Sequence, residues 1–106
     1  MSAADAESAG KVRLEASARG RVQGVGFRYF ILRRGMDLGV AGWVANESDG
    51  SVRVVAEGSR EQLEAMLEAM EQGPAAASVE RVNVTWGAAS GTLRDFGIRA
   101  GGHRGD

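Results

Sequence analysis

Between residues 12 and 19 the chain alternates. Val12, Leu14, Ala16 and Ala18 are apolar, and Arg13, Glu15, Ser17 and Arg19 are polar. A period of two predicts a strand with one buried face. After a glycine-rich segment, Phe27, Phe30, Ile31 and Leu38 recur at helical spacing, so a helix is expected over Phe27–Leu38, ending at Gly39. Gly35 inside it costs about 0.5–1 kcal/mol relative to Ala. Residues 40–45 read as a second strand and 51–57 as a third. Asn46-Glu47-Ser48-Asp49-Gly50 lies between them, and its Asp49-Gly50 pair signals a hairpin turn. Ser59 and Gln62 stand at capping-box spacing. Leu63, Met66, Leu67 and Met70 then form one apolar stripe, and Gly73-Pro74 stops the second helix. Val82, Val84 and Trp86 alternate as a fourth strand. Residues 87–92 read as a loop, and Phe96 with Ile98 mark a short last strand.

This order is βαββαβ plus a terminal strand. It predicts an α+β sandwich in which two helices cover one face of a mainly antiparallel sheet. Trp43, Trp86, Phe27 and Phe30 are assigned to the core. Glu61, Glu64, Glu68 and Glu71 lie mostly off the apolar stripe and read as a solvated face. Residues 1–10 are expected to be a disordered tail, residues 11–100 the one domain, and residues 101–106 a flexible tail.

Composition narrows the chemistry. With 106 residues and 43% hydrophobic content, one domain can build an ordinary core. There is no cysteine, which removes disulfides, thiolate nucleophiles and thiolate metal sites. The one histidine, His103, sits in a glycine-rich end and is a poor candidate for a triad or a metal cage. Arg104-Gly105-Asp106 matches an adhesion tripeptide, a match of three residues that chance explains. Net charge is −1, without the basic excess of a nucleic-acid binder. Yet residues 11–34 carry Lys11, Arg13, Arg19, Arg21, Arg28, Arg33 and Arg34 against Glu15 alone. That stretch attracts small anions. No apolar run has the length of a membrane span, and the first ten residues lack a signal-peptide core. The expectation is a cytoplasmic monomer with no membrane and no nucleic-acid partner.

The candidate chemistry lies in Gly20-Arg21-Val22-Gln23-Gly24-Val25-Gly26-Phe27-Arg28, which joins the first strand to the first helix. Glycines let the backbone turn tightly and gather its N–H groups beside the positive end of a helix, which suits an anion. Arg28, in the first helical turn, has a planar guanidinium that grips two phosphate oxygens. Two nucleotide motifs fail on spacing. A P-loop counted from Gly20 needs glycine at 25, which is Val25, and a dinucleotide fingerprint from Gly24 needs it at 29, which is Tyr29. Glycine spacing alone leaves a structural turn and an anion site both open. Taken alone, Arg28 fits a surface ion pair and Asn46 a turn residue.

The wording of the loop resembles the signature of the acylphosphatase family. A second phrase, Gly42-Trp43-Val44-Ala45-Asn46 followed by Asp49-Gly50-Ser51-Val52, is similar too, as are Glu57-Gly58 and Gly73-Pro74 with Val79-Glu80-Arg81-Val82. The resemblance runs over residues 11–99. It implies a ferredoxin-like fold and hydrolysis of small acyl phosphates to a carboxylate and inorganic phosphate, with no cofactor and no metal. It implies that Arg28 is the phosphate-binding catalytic residue and that Asn46 orients the attacking water. The backbone of Gln23, Gly24, Val25, Gly26 and Phe27 would be the phosphate cradle. Two positions depart from the family pattern: Ala45 stands where arginine is common, and Gly35 where alanine is common. The first changes the charge expected beside the site, and the second softens the helix. The alternative is a non-catalytic ferredoxin-like module that binds phosphate or RNA. RNA binding needs aromatic platforms on the sheet, and residues 51–57 have none. An acylphosphatase-like unit of a larger maturation enzyme would need further domains, and with 106 residues none is expected here.

Overall fold

The computed structural model describes residues 10–100. The expectations for the two tails, for His103 and for Arg104-Gly105-Asp106 lie outside the described residues, Gly10 excepted. The elements are β1 (Val12–Arg21), α1 (Phe27–Leu38), β2 (Ala41–Asn46), β3 (Val52–Gly58), α2 (Arg60–Gln72), β4 (Ser78–Ala88) and β5 (Phe96–Ile98). The expected order holds. The five strands form one sheet in the order β4-β1-β3-β2-β5, antiparallel except for the β2–β5 pair.

Register decides which loops become neighbours. Ala18 of β1 and Asn46 of β2 both pair with Val52, from opposite sides of β3. Strands β1 and β2 therefore run in the same direction and leave the sheet at the same end. Alternation puts Leu14, Ala16, Ala18, Val44, Val52, Val54 and Ala56 on the face that the helices cover. There they pack with Phe27 and Ile31 of α1 and with Leu63, Met66 and Met70 of α2 in one core.

The helices end as their sequences predict. At the α2 start, Ser59 Oγ accepts from Gln62 N–H at 3.1 Å, and Gln62 Oε1 accepts from Ser59 N–H at 2.8 Å. Gln62 also donates to the Leu38 carbonyl at 2.8 Å, which ties the start of α2 to the end of α1. At the α1 end, Val40 N–H reaches Gly35 O and Gly39 N–H reaches Met36 O, a Schellman pattern.

Four expectations are corrected. Asn46 is the last residue of β2, not part of the turn. The fourth strand is long, so the loop expected at 87 starts only after Ala88. Its second half continues the β1 ladder, Trp86 opposite Leu14 and Ala88 opposite Val12. Trp43 is not core. It lies on the open face of the sheet, half-buried, with the Arg99 guanidinium 4.4 Å from its ring centre. Trp86 and Phe30 are half-buried against the core, and Phe27 is fully inside it.

Gly35 is the fourth. It reads as a soft point in α1, yet the Phe96 ring of β5 lies directly on it. A Cβ there would come within 2.5 Å of two ring atoms. Phe96 is buried and held on a three-residue edge strand, so it has little room to retreat. Gly35→Ala is therefore expected to lower stability by about 1–3 kcal/mol through overpacking, which exceeds the helix-propensity gain of about 1 kcal/mol. A urea midpoint at or above that of the parent protein would refute this account of the α1–β5 contact.

Candidate functional site

Residues 22–26 connect β1 to α1. Gly24 and Gly26 have φ of +74° and +82°, values that cost a residue with a Cβ about 1–2 kcal/mol. A Cβ at either would meet nothing within 4 Å, so conformation and not crowding demands glycine. Val22 is buried and pins the loop to the core, and Val25 packs against it. Gly26 caps α1 without a side chain. The helical ladder begins with Phe30 N–H to Gly26 O at 3.0 Å. The amides ahead of it point out of the helix end, where the helix dipole is positive.

Asn46 faces this loop from the end of β2. It is 6% exposed, and its Oδ1 is buried with no hydrogen-bond partner among the described residues. An unsatisfied buried acceptor costs about 1–3 kcal/mol. The turn beyond it is well held. Glu47 N–H donates to Ser51 O at 2.9 Å and Gly50 N–H to Glu47 O at 3.1 Å. Asp49 Oδ1 accepts from the Ser51 hydroxyl at 2.6 Å and from the Ser51 amide at 2.9 Å. Arg19 donates to Asp49 Oδ2 at 2.8 Å. The Ser51 hydroxyl, the Ser51 amide and the Arg19 guanidinium together hold the Asp49 carboxyl at about 2.

A pocket of 240 Å³ opens between these two ends, lined by Val22, Gly24, Gly26, Phe27, Arg28, Tyr29 and Asn46. It gathers five of the seven residues singled out in the sequence. Gln23 and Val25 do not line it. The Gln23 side chain instead turns to the hairpin, donating to Glu47 O at 2.8 Å and to Ser51 O at 2.9 Å. Val22 and Tyr29 line the pocket although the sequence did not single them out. Tyr29 is 68% exposed, and its one readable signal was an aromatic residue next to Arg28. Ala45 is buried, but alternation places it on the sheet face opposite Asn46. Larger hollows lie elsewhere: one of 310 Å³ between the outer sides of the two helices, one of 410 Å³ along α1, and one of 340 Å³ beside Gly39 and Phe96. None of them joins the start of a helix to Asn46. Among the described residues, no group of three or more His, Cys, Asp or Glu is placed to hold a metal ion. No helix there is long and apolar enough to cross a membrane.

The fold is a ferredoxin-like α+β sandwich, and one end of its sheet brings together a glycine-turned loop at a helix start, an arginine in the first turn and an asparagine with a spare acceptor. Comparison with known proteins makes this specific. The acylphosphatase family model matches residues 14–98. An acylphosphatase of Salinibacter ruber is 50% identical over 93 residues, 88% of this chain and 98% of that protein. One from Thermus thermophilus is 49% identical over 81% of this chain and 97% of its own length. The crystal structure of acylphosphatase from Bacillus subtilis superposes with a TM-score of 0.80 at 35% identity, covering 83% of this chain and 98% of that one. The chain belongs to the acylphosphatase family.

The turn after Asn46 gives a pH prediction. The folded Asp49 carboxyl titrates below its ordinary value of 3.8. Its contribution to the turn is therefore complete above that value and is lost as pH falls through about 2. The Ser51 amide proton shift, followed by NMR, is expected to titrate with a midpoint near 2. A midpoint at the ordinary carboxylate value would show that the Ser51 and Arg19 contacts do not hold Asp49 in solution.

Proposed function

We propose that this chain hydrolyses the carboxyl–phosphate bond of small acyl phosphates by in-line attack of water. Arg28 and the loop amides hold the phosphate, and Asn46 aims the water. The observation that carries this reading is the buried, unpartnered Oδ1 of Asn46 in the same pocket as Arg28. A buried acceptor without a partner is costly, and a water donating to it would satisfy it. The Asn46 amide group would also be available to donate to a phosphoryl oxygen.

The chemistry asks for little more. The water oxygen forms a bond to phosphorus while the bond from phosphorus to the acyl oxygen breaks. The carboxylate departs with that electron pair, and the water's proton passes to a phosphoryl oxygen, giving inorganic phosphate. A carboxylate is a good leaving group, so no strong general acid is needed. The remaining tasks are neutralising the phosphoryl oxygens and orienting the nucleophile. The backbone of Gln23, Gly24, Val25, Gly26 and Phe27 serves the first task together with Arg28. No metal takes part. The proposal includes a monomeric working unit in the cytoplasm.

RNA binding is disfavoured by the open face of the sheet. Trp43 is stacked beneath Arg99. Arg13 pairs with Glu15 and Glu57 at 2.9 Å each, and Arg53 pairs with Glu15 at 2.7 Å. Neither a bare aromatic platform nor an unbalanced basic stripe results.

Release of phosphate from benzoyl phosphate in EDTA tests the reading. The parent protein is expected to turn over at the same rate with and without chelator. Arg28→Ala and Asn46→Ala are each expected to lose about 10²–10³-fold in kcat/KM. Competitive inhibition by inorganic phosphate separates their roles: Arg28→Ala weakens it strongly, and Asn46→Ala leaves it within about threefold. No turnover by the parent protein would sink the hydrolase reading. Loss of turnover in EDTA would sink the metal-free mechanism, and full activity in Arg28→Ala the site assignment.

A further inference from the structure

We infer that the side chain of Gln23 is a positioning residue: its carboxamide staples the phosphate loop to the hairpin turn and so sets Asn46 against Arg28. The inference rests on the hydrolase reading above and adds to it a group that does not line the pocket.

The geometry is specific. One amide nitrogen uses both of its N–H bonds, on Glu47 O at 2.8 Å and Ser51 O at 2.9 Å. These carbonyls sit on the two sides of the turn between β2 and β3. Glu47 directly follows Asn46, and Ser51 directly precedes Val52, the strand partner of Asn46. Ser51 O also accepts from Glu47 N–H, so one oxygen closes the turn and receives the staple. At its other end, Gln23 stands between Val22, locked in the core, and Gly24, which lines the pocket.

Asn46 needs this support because its own Oδ1 has no protein partner among the described residues to fix it. Its position then depends on the backbone around it. Arg19 with Asp49 ties the tip of the turn to β1, and Asp49 with Ser51 shapes the turn internally. Neither contact reaches the phosphate loop, whereas the Gln23 carboxamide joins that loop to both sides of the turn. An in-line displacement is sensitive to misplacement, and an error near 1 Å costs up to about 10²-fold.

The test is a double-mutant cycle on benzoyl phosphate hydrolysis. Gln23→Met keeps the length and removes both donors; Gln23→Glu keeps the shape and presents oxygens to the two carbonyls. Each is expected to lower kcat by about 10–10²-fold, with inhibition by inorganic phosphate changed by less than about threefold. In an Asn46→Ala background, Gln23→Met is expected to cost no more than about twofold, because the group it positions is gone. An equal cost in both backgrounds would overturn the staple, as would unchanged kcat or a loss confined to phosphate affinity. Folding is checked by circular dichroism, and Gln23→Glu carries the test if Gln23→Met fails to fold. NMR separates this inference from the function. Gln23→Met is expected to shift the Asn46 side-chain amide signals and speed hydrogen exchange at Glu47. Unchanged signals and exchange would overturn the staple, whether or not the parent protein hydrolyses acyl phosphates.

Discussion

The pairing of Val52 with Ala18 on one side and Asn46 on the other is the constraint on which the site depends. Because β3 runs antiparallel to both neighbours, β1 and β2 exit at one end of the sheet. One exit becomes the glycine-turned loop, and the other becomes the turn after Asn46. A slip of one residue in the β2–β3 pairing would reverse every side chain on β2. Asn46 would then face the open side, and the core would lose Val44. The same alternation that buries the core thus also fixes the chemical face of Asn46.

Much of this was legible in the sequence. The alternation of residues 12–19 survives as β1, and the Ser59–Gln62 capping box is present atom for atom. The two family phrases pointed to the two ends that the register brings together. What escaped reading depends on pairing between distant segments. Asn46 looked like a turn residue because composition favours turns there, yet its partner Val52 keeps it in the strand. Trp43 looked like core because it is large and apolar, but phase is set by its neighbours Gly42 and Val44, which occupy the inner face. Gly35 carried no sign of its reason, since Phe96 is far away in the chain and reaches it only through the parallel β2–β5 pair. Gln23 was read for its backbone alone, and no local pattern announces a carboxamide that spans to another turn.

The two faces of the sheet treat charge differently. On the open face, Glu57 is buried, and burial pushes its carboxyl up. The Ser90 and Gly91 amides at 2.8 and 3.1 Å and the Arg13 guanidinium outweigh that and hold it ionised below its usual range. Those bonds also anchor the segment after β4 onto the sheet. Glu57 thus serves the structure with a full charge, because its donors were built around it. A buried pair of this kind loses more by losing one partner than the pair contributes to stability, so it fixes geometry more than it adds free energy.

The covered face leaves one polar atom unsatisfied. Among the described residues, Asn46 Oδ1 is the sole buried side-chain nitrogen or oxygen without a partner. A fold that gives the carboxylate of Glu57 donors from Arg13, Ser90 and Gly91, and finds acceptors for both N–H bonds of Gln23, is able to satisfy one amide oxygen. Leaving it open costs about 1–3 kcal/mol, a sizeable share of the roughly 5–15 kcal/mol that stabilises a typical domain. The cost falls at the one place where Arg28, the loop amides and Asn46 share a pocket. A charged base there would repel the phosphoryl oxygens, whereas a neutral amide accepts from water without opposing the anion. On the proposed function, the unpaired atom and the glycine-turned loop serve one end: the loop offers its amides to the phosphate, and the amide oxygen offers itself to the attacking water.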